Sequence, residues 1–115
     1  MQTQRLETED GRAVAEHVEL ATGAWSRFMG LMFRSELPPG HGLALTPCSS
    51  IHMFFMRIPL DVAFLDREGR VLRVYHGIRP WRMSRIVRGA RTAVELPAGT
   101  LRAAGVEKGA VLRLV

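Results

Sequence analysis

The stretch from residue 51 to residue 69, IHMFFMRIPLDVAFLDREG, constrains the fold more than any other part of the chain. Leu60, Val62 and Phe64 alternate onto one side of a strand, and Asp66-Arg67-Glu68-Gly69 forms a four-residue turn in which Gly69 supplies a positive φ. Residues 71–75 then return antiparallel to close a β-hairpin. The stretch contains no cofactor fingerprint, no paired metal ligands and no complete catalytic triad.

The rest of the chain supports a β-rich body around that hairpin. Residues 1–11 read as a frayed or edge segment. Residues 13–20 alternate as a strand, with Val14, Glu16 and Val18 on one side and Ala15, His17 and Glu19 on the other. Thr22 offers a helix N-cap, and Trp25, Phe28, Met29 and Met32 fall at the spacing of one apolar helical stripe, so a short helix is expected over residues 24–33. Pro38-Pro39-Gly40 marks a loop, and Leu43 to Leu45 is a short apolar run. Residues 92–96 read as a strand and Pro97-Ala98-Gly99 as a turn. Thr100 is expected to cap one helical turn that ends at Gly105, and residues 111–115 form a last strand. The expected fold is mainly antiparallel β (α+β), a compact curled sheet or small β-barrel with two short helices.

With 115 residues and 47% hydrophobic content, the chain is long enough for one core and too short for two ordinary domains, so residues 1–115 are read as a single globular domain. No run approaches the roughly 18 apolar residues of a membrane span. The N-terminus is polar and acidic, unlike a signal peptide, so the chain as given reads as soluble and cytoplasmic, or exported if a leader has been trimmed. A single cysteine, Cys48, excludes an intramolecular disulfide.

The net charge of +5 is unevenly spread. Residues 1–68 carry six Arg against nine acids, and residues 69–115 carry nine Arg and Lys108 against Glu95 and Glu107. Arg79, Arg82, Arg85, Arg88 and Arg91 recur at every third position in an acid-free tract. Such a tract favours anionic partners, including nucleic acid. The near-absence of interleaved aromatics for base stacking weighs against nucleic acid, and an arginine-rich composition accounts for part of the pattern.

Two local features bear on chemistry. Cys48 and His52 would be neighbours on a helical turn, where an imidazole can activate a thiolate nucleophile. On a strand they would lie roughly 13 Å apart. As structural residues they would be a small buried hydrophobe and a hydrogen-bonded histidine. Asp61 stands on the face shared by Ala63 and Leu65, and there a buried carboxylate must be hydrogen-bonded or paired. Holding Arg34, Arg57 or a turn amide is preferred over a role in chemistry. His17, His41 and His76 show no HxH or HxxxH grouping, so no metal is expected, and no cofactor.

Gly30-Leu31-Met32-Phe33-Arg34, Phe55-Met56, Pro59-Leu60-Asp61-Val62-Ala63-Phe64-Leu65-Asp66 with Gly69, and Glu95-Leu96-Pro97-Ala98-Gly99 with Gly109 resemble, in order, the signatures of the prokaryotic family called domain of unknown function 192. The resemblance covers most of the chain from about Trp25. It implies a compact β-rich domain with short helices, found in exported and leaderless proteins, with no agreed activity and no catalytic residue to carry over. Members commonly have Met-Lys-Asn-Thr before the Pro-Leu-Asp motif, whereas here Met56-Arg57-Ile58 leads straight to Pro59. The Cys48 and His52 pair belongs to a variant pattern.

The resulting expectation is a binding or accessory module, monomeric or weakly dimeric, with a partly apolar cleft for a small polar or anionic ligand or a protein partner. Phe55, Met56 and Trp81 are expected to supply apolar walls, Arg34 and Arg57 donors, and Asp61 the cleft's geometry. The alternatives are an enzyme using Cys48 and His52, and an anion or nucleic-acid surface on residues 79–91.

Overall fold

The computed structural model describes residues 3–23, 36–53 and 56–115. Its strands are β1 (Thr3–Thr8), β2 (Ala13–Ala21), β3 (His41–Leu45), β4 (Leu60–Leu65), β5 (Val71–Ile78), β6 (Thr92–Pro97) and β7 (Leu112–Leu114). A single turn of helix, α1 (Thr100–Ala103), connects β6 to β7. The strands form one sheet in the order β5-β4-β6-β3-β2-β1-β7. Adjacent strands are antiparallel except β2 and β3, which run parallel from His17 opposite His41 to Ala21 opposite Leu45. A parallel pair needs a crossover of a dozen or more residues, and the connection from residue 22 to residue 40 supplies the length. The helix expected over residues 24–33 lies outside the described residues, as do Arg34, Phe54 and Phe55.

The hairpin forms as the turn chemistry predicts. The Asp66 amide donates to the Arg70 carbonyl at 3.0 Å, and Asp66 Oδ1 accepts from the amides of Glu68 and Arg70, both at 2.9 Å. Gly69 has φ +84, and a Cβ added there would be driven into the Leu112 carbonyl oxygen. Gly69→Ala is therefore expected to lower unfolding free energy by roughly 2 kcal/mol, since it adds a backbone clash to left-handed strain. A urea titration in which this variant matches the wild-type midpoint would show that the turn relaxes at little cost.

The sheet curls but does not close, so the barrel alternative is not formed. Outside the named strands, an isolated bridge pairs Arg70 with Val111, where Val71 N donates to Ala110 O (2.7 Å) and Leu112 N to Gly69 O (2.9 Å).

Two strands depart from the expectation. Residues 3–8, read as frayed or edge, form β1, which pairs with β2 on one side and β7 on the other and buries Leu6 completely. In β2 the strict alternation fails, because Leu6 opposes Ala15 while Gln4 opposes Val18. The extra residue is a β-bulge, and it turns both Ala15 and Val18 into the core.

Apolar side chains fill both faces of the sheet. One cluster, including Leu6, Val18, Leu65, Leu96, Leu101 and Val106, lies on the face covered by α1. The other, including Leu43, Met53, Met56, Leu60, Val62 and Phe64, lies on the opposite face. All six residues of β4 are buried, as expected of a strand packed on both faces.

Candidate functional site

Residues 79–91 run across the second face beside β5, held by backbone bonds to two neighbouring segments. Trp81 N donates to Met53 O, Met53 N to Arg82 O, Ser84 N to Ile51 O, Val87 N to Ser49 O and Cys48 N to Arg91 O, all within 2.6–2.9 Å. Arg91 N reaches Leu65 O at 2.7 Å, and the Tyr75 hydroxyl accepts from Arg85 N at 3.0 Å. Ser84 Oγ accepts from Ile51 N at 2.9 Å. These contacts explain the three-residue period. Ser84 and Val87 are buried and Ala90 is half-buried, and each is followed by an arginine that the inward residue leaves facing out.

Arg79, Arg82, Arg85, Arg88 and Arg91 are all exposed. Among them Trp81 is 58% exposed, Met83 65% and Ile86 76%, so the surface is basic and apolar together. Trp81 sits at φ +68, a conformation costly for a bulky residue. The hydrogen bond from its backbone N–H to the Met53 carbonyl is one of the contacts that hold the turn there.

Of the described candidates for a cleft, Met56 and Asp61 lie on opposite faces of the sheet. Met56 is buried in the second cluster. Asp61 is fully buried on the opposite face, where Oδ1 accepts from Gly77 N (2.8 Å) and Oδ2 accepts from Gly99 N and Leu101 N (both 3.0 Å). Arg57 is exposed, and Arg34 and Phe55 lie outside the described residues. Three surface cavities of about 460, 500 and 330 Å³ are lined by other residues, except that Arg91 borders the last.

The Asp61 bonds also correct the expected helix cap. Thr100 is the first residue of α1 rather than its cap, Gly99 precedes it with φ 93, and no local side chain caps the turn. Asp61 satisfies the amides from across the sheet, a device available only after tertiary folding.

Cys48 and His52 lie on a segment that pairs along the 79–91 tract rather than closing into a helical turn. His52 bridges Met83, and the half-buried Cys48 thiol donates to the Ser50 carbonyl at 3.0 Å.

Sequence reasoning missed Glu95. It lies in the middle of β6 between Leu43 and Val62, is 4% exposed, and its Oε1 is buried with no hydrogen-bond partner among the described residues. Burial pushes its pKa up to about 7. The signal was a lone acid inside the otherwise apolar TAVELP strand.

Comparison with known proteins agrees with the fold. The family model for DUF192, described as "Uncharacterized ACR", matches residues 5–114. The chain belongs to the DUF192 family. Among its relatives, a UPF0127 protein of Thermococcus gammatolerans is 39% identical over 105 residues, spanning 86% of this chain and 67% of the relative. One from Pyrococcus furiosus is 33% identical over 109 residues, spanning 90% and 91%. A crystal structure from Sinorhizobium meliloti described as a "putative transcription regulator" is 30% identical with a TM-score of 0.81, covering 96% of this chain and 91% of that one. A protein of unknown function from Novosphingobium aromaticivorans has a TM-score of 0.83 at 23% identity, covering 96% and 83%, which establishes a shared fold. Among the described residues, no helix is long and apolar enough to cross a membrane.

Proposed function

We propose that this DUF192 domain is a binding module that docks an acidic protein partner through the surface formed by residues 79–91. The observation that carries the reading is the interleaving of five exposed arginines with exposed Trp81, Met83 and Ile86 on a backbone tied down by hydrogen bonds. Arg, Trp and Met are enriched at protein interfaces, where arginine pairs with carboxylates and apolar anchors fill pockets. A backbone already in place lowers the ordering cost of association. A small-ligand cleft has less support, because Met56 and Asp61, two of its expected residues, lie on opposite faces of the sheet.

Nucleic acid is the second reading. It draws on the arginine surface and on the description of the Sinorhizobium neighbour as a "putative transcription regulator". Phosphate contacts account for the arginines but leave exposed Met83 and Ile86 without a role, and one tryptophan offers little for base stacking.

The test compares a Glu-rich peptide containing Leu and Phe with a single-stranded oligonucleotide of equal charge. Peptide affinity is expected to fall on the order of a hundredfold in an Arg82→Glu/Arg85→Glu/Arg88→Glu variant and several-fold in Ile86→Ser. It should weaken with salt without vanishing, since part of the contact is apolar. Equal peptide binding by the triple variant, or tighter oligonucleotide binding at the same salt, would overturn the acidic-protein reading.

A further inference from the structure

We propose that His17 on β2 and His41 on β3 form a two-imidazole site for a divalent transition-metal ion of the copper, nickel and zinc group. The sequence hides the pair, since the two residues belong to separate strands and share no local motif. Parallel pairing sets His17 directly opposite His41, and the ring centroids lie 4.9 Å apart with the planes tilted by 37°. That distance matches the roughly 4.8 Å spacing of neighbouring strands, so each ring stands beside the other over its own backbone. Backbone bonds hold both positions: His17 N donates to Gly40 O at 2.8 Å beside the ladder, and His41 N donates to Pro38 O at 3.1 Å in the turn that leads into β3.

Both side chains are exposed, which leaves them accessible to an ion from solvent. Imidazole is the ligand these metals share, and two nitrogens bound to one ion at about 2.0–2.1 Å lie about 3 Å apart. The ring centroids at 4.9 Å leave the two imidazoles near enough for one ion to be sought between them. Among the described residues, no cluster of three or more His, Cys, Asp and Glu is placed to hold a metal. The site is therefore bidentate, with the ion's remaining positions open to solvent or to a donor from another molecule. An open site of this kind suits reversible ion capture better than a permanent structural metal, whose sites are closed by four protein ligands.

The experiment titrates the folded chain with Cu²⁺ alone, following broadening of the histidine ring resonances and the shift in Tm. Wild type should bind one ion at this pair, with His17 and His41 signals lost first and Tm raised as ion binds the folded state. His17→Ala and His41→Ala should each lower affinity by at least tenfold, the smaller loss typical when even an outer-shell partner of a ligand is removed. The double variant should be little worse than either single one, because half of a chelate holds the ion poorly. His76→Ala should match wild type. Both residues are exposed, so the variants should keep the wild-type Tm without metal. The proposal is overturned if the double variant binds as tightly as wild type, if only one of the two single variants loses affinity, or if the loss follows His76→Ala.

Discussion

Replacing Asp61 with alanine should remove about 3–5 kcal/mol from the unfolding free energy, a large share of what a domain of this size possesses. The carboxylate is fully buried and accepts three backbone N–H bonds, from Gly77 at the end of β5, Gly99 in the turn after β6 and Leu101 in α1. Alanine takes the acceptor away from all three donors, and a donor left buried and unsatisfied, as Leu101 N would be, costs about 1–3 kcal/mol. The effect should exceed that of an ordinary lost cap, about 1 kcal/mol, because one side chain joins three segments. Asp61→Asn keeps one acceptor oxygen and turns an amide toward the remaining donors, so it should fall between wild type and alanine. Urea titrations at constant m-value report the difference directly. An Asp61→Ala midpoint within 1 kcal/mol of wild type would mean the three amides find other acceptors.

Asp61 also shows where sequence reading reached its limit. That a carboxylate inside LDVAFL must be hydrogen-bonded follows from burial alone, and a turn amide was among the partners expected. Which amides are used depends on tertiary structure, since the donors lie 16, 38 and 40 residues away. The β4–β5 hairpin was legible because Asp66 and Gly69 write their turn locally. β1 was not, because its polar pattern around Leu6 resembles a tail until partners on both sides are known. The bulge in β2 and its parallel pairing with β3 were equally hidden, and with them the meeting of His17 and His41. The arginine period was visible in the sequence, but its cause was not. Only the buried positions of Ser84 and Val87 show that the arginines project because contacts at every third residue hold the chain down.

Glu95 is expected to give the chain an unusual stability profile with pH. Its carboxyl has an ordinary value of 4.5, and burial among apolar neighbours raises it to about 7 in the folded state. Between those values the folded chain binds more protons at this site than the unfolded chain does. Stability contributed by this residue is therefore fully present below about 4.5, falls as pH rises toward 7, and is level above that. The separation corresponds to about 3 kcal/mol, the cost of holding a charged carboxylate with a buried oxygen that has no hydrogen-bond donor among the described residues. Other carboxylates, among them Asp10, whose hydrogen bond from Thr8 lowers its pKa, oppose this trend as the solution is acidified. The informative quantity is thus the difference between wild type and Glu95→Gln measured across the same pH series, which isolates the one titration. Glutamine cannot ionise and preserves the shape of the site. The variant should match wild type to within about 1 kcal/mol near pH 4.5 and exceed it by about 3 kcal/mol at pH 8, on the order of 10 °C in Tm. Parallel profiles for the two proteins would show that the Glu95 carboxylate is stabilised when ionised, by a donor that moves to it as the charge appears.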